Sequence, residues 1–344
     1  MNNTTTACFY VSCQFSKAEI VLIVTAAFII IAAAVIGNIS TVIVVISSKK
    51  FRSISNLSTL NLALSDILLA IFVAPLVIVN LYLTENWVFG AFFCKLYNFI
   101  RDTSVMAALL NLFVVSIERF VAVCFPFYLR TRKRAFVYCV PLVWILAMAI
   151  ASPTIKYNKH IVTSSYTICY SVAPEDYGIV NAIIVFALLL MMIPMQMATI
   201  CKLRMKGTAL KYSSHSNYIR RRNACYILFV LMLSCLVCWT PGYAMRMSLR
   251  FNKDSFLKKD LQVANRLYVF IVLLFFSCPV IHSIIFFFLS PKGKRTIKNV
   301  MNYTRKRNSP QSSKTSDSSR KRTTWPFSGL SIRGSSLLTK ESAF

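Results

Sequence analysis

Charge is scarce in this chain. Only 15% of its 344 residues are Asp, Glu, Lys or Arg, while 56% are hydrophobic and the mean hydropathy is +0.60. A water-soluble domain carries roughly a quarter charged residues, so a soluble fold is excluded. Acids are the scarcer sign: 11 against 39 basic residues, a formal net charge of +28. The three histidines, His160, His215 and His282, are too far apart to match a metal spacing, and no glycine-rich phosphate loop occurs. The expectation is therefore no enzyme, no cofactor and no metal. No internal repeat is visible, which argues against an inverted-repeat transporter. The alternating ten-residue strands of a porin-type barrel are also lacking. No cysteine follows Cys278, which excludes a palmitoyl anchor beyond it.

What the chain does have is long apolar runs. A helix crossing the hydrocarbon core of a bilayer needs about 20 mostly apolar residues. Seven runs fit, at 20–46, 57–82, 94–124, 136–152, 177–203, 224–249 and 263–289. The expected fold class is an all-α membrane protein, a seven-transmembrane helix bundle with a short amphipathic surface helix after the seventh span. Residues 1–19 read as an extracellular N-terminus, 20–289 as the seven-transmembrane domain and 290–303 as the surface helix. Residues 304–344 read as a disordered cytoplasmic tail. The surface helix rests on Ile297, Val300 and Met301 sharing one face beside the basic Lys294, Arg295 and Lys298. The tail rests on the Ser, Thr, Lys and Arg richness from Ser309 onward.

Orientation follows from the basic residues. The loops near 47–56, 125–135 and 204–223, the tail, Arg119 and Lys202 together hold 28 of the 39. That asymmetry predicts a cytoplasmic tail and an extracellular N-terminus, in a multi-pass protein of the plasma membrane. A basic cytoplasmic face suits anionic lipid headgroups and acidic partner surfaces; nucleic acid is not an expected partner. Residues 1–16 are short and polar, so no cleavable leader is expected. Asn2 and Asn3 head overlapping glycosylation sequons on the expected outer side. Cys8, Cys13, Cys94 and Cys169 fall on that side too, where disulfides persist.

Glu118 and Arg119 stand side by side in an otherwise apolar run, where a charge costs about 2.5–3.5 kcal/mol on insertion scales. Arg119 lies 25 residues after Cys94. At 1.5 Å per residue that is about 38 Å, which puts the two at opposite faces of the membrane. Snorkelling lowers the cost there. The residues alone leave two readings open, an interfacial anchor and a functional pair.

The third span starts at Cys94 and ends in Glu118-Arg119-Phe120, with Pro126 beyond. Gly37-Asn38 lies in span one, "LALSD" ending at Asp66 in span two, and Trp87 before Phe89-Gly90 in the loop after it. Trp144 marks span four, Pro194 span five and Cys238-Trp239-Thr240-Pro241 span six. In this order the motifs resemble the rhodopsin-like (class A) G-protein-coupled receptors, from about residue 22 to 300. Glu-Arg-Phe is a mild variant of that family's Asp-Arg-Tyr. The resemblance implies that Glu118 holds Arg119 at rest, and that an outward swing of span six frees Arg119 for a heterotrimeric G protein. It implies a disulfide between Cys94 and Cys169, with two free thiols as the alternative. It also implies a kink at Pro241 that lets the inner half of span six swing when ligand presses on Trp239. Structural packing is the other reading of Trp239 and Pro241.

Asp66 is a lone acid at mid-membrane, where ionisable residues are functional suspects. The family binds sodium there, but Ala108, Leu274, Phe275 and Cys278 stand where polar partners are usual. Asp66 is therefore expected to bond Asn38 or water. Span seven departs from the family's Asn-Pro-x-x-Tyr: it reads Cys278-Pro279-Val280-Ile281-His282. Lys202 replaces a span-five tyrosine, and Cys235 replaces a phenylalanine one turn before Trp239. Asp66, Glu118, Arg119, Trp239, Pro241, Pro279 and His282 are the expected activation switch. The departures also motivate a decoy that binds ligand without coupling.

Trp239, Tyr243, Arg246 and Arg250 share one face of span six. With Asn98, Arg101 and Tyr268 they outline an aromatic, cationic ligand pocket. Arginine pairs well with carboxylates, so a ligand with an acidic group or free C-terminus is expected. The alternative is that Arg101 pairs with a protein acid and that the span-six arginines reach headgroups. Amine receptors carry an acid where Arg101 stands; Asp102 is one step round the helix and is expected to point elsewhere. Opsins need a span-seven lysine, and residues 263–289 contain none. The segments "LNLALSD" and "NFIRDTSVMAALLNLFVVSIERF" are most similar to peptide-binding members. A chemosensory receptor for small acidic molecules is the other alternative. Arrestin and receptor kinases are further expected partners, through Ser312, Ser313 and Thr315.

Overall fold

The computed structural model describes residues 15–48, 54–84, 86–125, 135–164, 166–171, 175–209, 215–251 and 261–308. Asn2, Asn3, Cys8, Cys13 and the tail from 309 lie outside them. Among the described residues, seven helices are long and apolar enough to cross a membrane, and they form the bundle. Span one is Lys17–Ile46. Ser16 caps it by accepting from Glu19 N, and Glu19 accepts in return from Ser16 N, at 3.2 and 2.9 Å. That reciprocal pair satisfies two of the donors a helix start leaves open.

Span two is Ile54–Leu68, continued by a π-helical stretch Leu69–Val73, an α-helical turn Ala74–Ile78 and a second π-helical stretch Val79–Leu83. Pro75 explains the irregularity: it has no N–H to give, and the helix widens around it. Span three is Gly90–Cys124 and span four Ala135–Ala151, followed by a short helix Pro153–Tyr157. Spans five, six and seven are Glu175–Ala209, His215–Phe251 and Leu261–Leu289, with Pro194, Pro241 and Pro279 inside them.

The bundle is apolar outside, and its apolar core also holds a set of buried polar side chains. Phe28, Ile36, Leu190, Val237 and Phe270 are exposed on its flanks, where lipid would solvate them. Asn38, Asn61, Ser65, Asp66, Asn111, Ser116 and His282 are buried. In lipid there is no hydrophobic force between helices, so close packing and interhelical hydrogen bonds supply cohesion. Asn111 Nδ2 donates to Ser58 O at 2.9 Å, Gln196 Nε2 to Ser116 Oγ at 2.9 Å, and Trp144 Nε1 to Asn61 Oδ1. Spans two, three, four and five are thereby stitched together. Span three runs through the middle, against spans two, four, five and six.

One end of the bundle carries a hairpin of strands β1 (Asn158–Val162) and β2 (Thr167–Ser171), antiparallel, with His160 opposite Cys169. A disulfide joins Cys169 to Cys94 in the first turns of span three, as the resemblance implied. Trp87 is buried there, donating Nε1 to Gly90 O at 2.8 Å and its backbone N to Thr167 O at 2.7 Å. Gly90 has φ +74°, a conformation that favours glycine and opens span three. At the opposite end, the helix Pro291–Asn308 follows span seven and runs past the expected end at 303. Lys292 Nζ ties it back to Ser48 Oγ at 3.1 Å.

Candidate functional site

Two polar clusters lie one above the other along the bundle. The first is at the disulfide end. Arg246, on span six, is exposed and stands within electrostatic reach of Arg101, Asp102, Tyr243 and Tyr268. Tyr243 stacks edge-on against Phe186, ring centroids 5.9 Å apart. Five side chains from spans three, six and seven are thus brought together, four of them expected. Asp102 is the fifth and corrects the sequence reading. It does not point away: its Oδ1 accepts from Arg101 Nε at 2.9 Å. The open alternative for Arg101, pairing with a protein acid, is what the structure contains. Asn98 is buried and donates Nδ2 to Asn158 Oδ1 at 3.0 Å, which fastens span three to β1. The side chain of Arg250 lies outside the described residues.

Trp239 forms the floor of this cluster. It is buried, its ring centroid is 6.5 Å from that of Phe275, and its Nε1 has no hydrogen-bond partner among the described residues. Below it lies the second cluster, which the sequence reading did not assemble. His282 Nδ1 donates to Asp66, 3.0 Å from Oδ2 and 3.2 Å from Oδ1. Its Nε2 faces Cys278 Sγ at 3.4 Å and Cys235 Sγ at 3.6 Å. The Asn38 alternative for Asp66 is corrected: Asn38 Nδ2 donates instead to Ala34 O at 2.9 Å and Pro279 O at 3.0 Å. The sequence carries a clue to this cluster, because Cys278 and His282 are four apart on one helical face.

A cavity of about 440 Å³ runs from this second cluster toward the end away from the disulfide. Asn38, Asp66, Asn111, His282, Arg119 and Lys292 are among its lining residues. Arg119 Nε lies 3.1 Å from Glu118 Oε2, both side chains mostly buried. The expected pair is therefore in contact. Lys202 Nζ reaches the Cys124 carbonyl at 3.5 Å and sits 6.0 Å from the centre of the Phe125 ring, capping the end of span three.

The bundle, its buried Asp66 and the Glu118–Arg119 contact agree with the comparison to known families. The profile described as 7 transmembrane receptor (rhodopsin family) matches residues 37–286. The chain belongs to the rhodopsin family of seven-transmembrane receptors. That family consists of receptors, not enzymes. Among its relatives is a QRFP-like peptide receptor of Branchiostoma floridae, 27% identical over 77% of this chain and 73% of that protein. The human neuromedin-K receptor is 27% identical over 57% of this chain and 44% of its own length. Galanin receptor 2a of Danio rerio is 28% identical over 58% of this chain and 56% of its length. The chain thus spans about half the length of the latter two relatives.

Proposed function

We propose that the chain is a plasma-membrane receptor, N-terminus outside, which couples an extracellular peptide bearing an acidic group or free C-terminus to a heterotrimeric G protein. The observation that carries this reading is the stacking of two charged centres along one bundle. An arginine and tyrosine cluster lies at the disulfide end, and Arg119 lines a cavity at the other. The peptide-receptor names of the relatives support the ligand class, and the excess of Lys and Arg at the Arg119 end supports the orientation. Ligand acts by shifting a pre-existing equilibrium. Pressed from the Arg246 side, Trp239 and the Pro241 kink let the Arg119 end of span six swing out, and Arg119 leaves Glu118 to meet the G protein. Asn2 and Asn3 carry glycans, and tail serines and threonines serve receptor kinases and arrestin.

The test is G-protein dissociation in cells expressing the chain, with pooled peptides and with small acids, beside an Arg119→Ala control. A peptide-dependent signal lost with Arg119 is expected. A response to small acids alone would replace the ligand class with the chemosensory one. The contact of His282 with Asp66 favours a second reading, a decoy that binds without coupling, because a histidine so engaged is not a free tyrosine-like switch. Peptide binding without signal, with signal gained when Cys278→Asn and His282→Tyr are combined, would establish it.

A further inference from the structure

We propose that Cys235, Cys278 and His282 form a zinc site that ties span six to span seven. The three ligand atoms lie within 4.8 Å of one another, and all three residues are buried. Tetrahedral zinc holds sulfur at about 2.3 Å and imidazole nitrogen at about 2.0–2.1 Å, which sets a sulfur-to-nitrogen edge of about 3.5 Å. The observed edges are 3.4 and 3.6 Å.

Hydrogen bonding alone accounts poorly for this arrangement. With Nδ1–H given to Asp66, the imidazole keeps one lone pair, on Nε2. Two sulfurs approach that one lone pair from different helices. A shared ion satisfies all three at once. Asp66 completes the pattern, because a metal-bound histidine commonly donates its other N–H to a carboxylate that fixes its tautomer and orientation. Three protein ligands leave zinc a fourth position for water. Two thiolates offset the charge of a divalent ion, which lowers the cost of holding it in the membrane interior. Binding releases the two thiol protons. Both the ion and the protons have a route, since His282 lines the cavity that runs to the Arg119 end. The site stands on this geometry and does not depend on whether the chain signals.

The test uses the full-length chain, purified in nanodiscs, kept reduced, stripped of metal and titrated with cobalt(II). One ion per chain is expected, with thiolate-to-cobalt charge transfer in the near ultraviolet and tetrahedral bands in the visible, both bleached by equimolar zinc. Cys278→Ser and His282→Gln should each abolish the charge-transfer band, Cys201→Ser should leave it intact, and Asp66→Asn should weaken affinity about 10–100-fold. Cys278→Asn, the residue usual in the family, serves where Cys278→Ser fails to fold. The proposal is overturned by a chain that gives no charge-transfer band or by a band that survives both ligand substitutions. It is equally overturned by mass spectra showing Cys235 disulfide-bonded in freshly isolated protein.

Discussion

Arg101 and Arg246 share a cluster but not a role. Arg101 is held by Asp102 at 2.9 Å, with the two side chains 19% and 11% exposed. Arg246 makes no ion pair among the described residues and is exposed at the same cluster. Removing Arg101 leaves a mostly buried carboxylate without its cation, which costs on the order of 3 kcal/mol. Removing Arg246 relieves repulsion between like charges and exposes nothing new. Arg101→Ala should therefore lower thermal stability and surface expression. Arg246→Ala should keep both while weakening an acidic peptide about 10–100-fold, since a hydrogen bond to a charged group contributes about 1.5–3 kcal/mol. Melting curves and radioligand binding on the same preparations separate the two. Equal loss of stability in both variants would remove Arg246 from the ligand site.

At the scale of the helices, spans one and seven approach each other closely at Gly37. A Cβ added to Gly37 would collide with Ser283, Oγ first and Cβ next at 2.8 Å. Overpacking of this kind costs about 1–3 kcal/mol, so Gly37→Ala should lower the melting temperature by several degrees. Ser283→Ala removes the Oγ but not the Cβ, so it should rescue the double variant only in part. Full rescue would mean that the hydroxyl alone sets the spacing. The Gly37-Asn38 pair was visible in the sequence, and so were all seven spans, because twenty apolar residues without charge have few other fates in a protein. The disulfide followed from the family motif at Cys94. Helix phase between spans was not legible. That Asp66 meets His282, 216 residues away, depends on how spans two and seven rotate against each other, and a single sequence does not encode that rotation locally. The Arg101–Asp102 contact was missed for a different reason. Neighbours along a helix usually diverge, and only the long arginine side chain folds back to reach the next residue.

For the whole molecule, the zinc site and the proposed switch act on the same motion. Cys235 lies on the Arg119 side of Pro241, in the half of span six proposed to swing, whereas Cys278 and His282 belong to span seven. An ion shared between them binds the closed bundle and loses a ligand in the open one. A ligand selective for one state and present at 100 times its Kd stabilises that state by about 2.7 kcal/mol, a population factor of about 100. Stripping the ion should therefore raise basal G-protein signalling severalfold, up to that bound. Side matters as well: the cavity reaching His282 opens toward the Arg119 end, which is cytoplasmic in the proposed orientation. A membrane-permeant zinc chelator should raise basal signal, and an impermeant one added outside the cell should not. Cys235→Phe, which replaces the ligand by the residue usual in the family, should give a higher basal signal that neither chelator changes. A wild-type signal unmoved by the permeant chelator, in cells whose receptor binds zinc after purification, would show that span six opens without drawing Cys235 away from Cys278. The pivot would then lie below Cys235, and the ion would hold the fold together without acting as a brake.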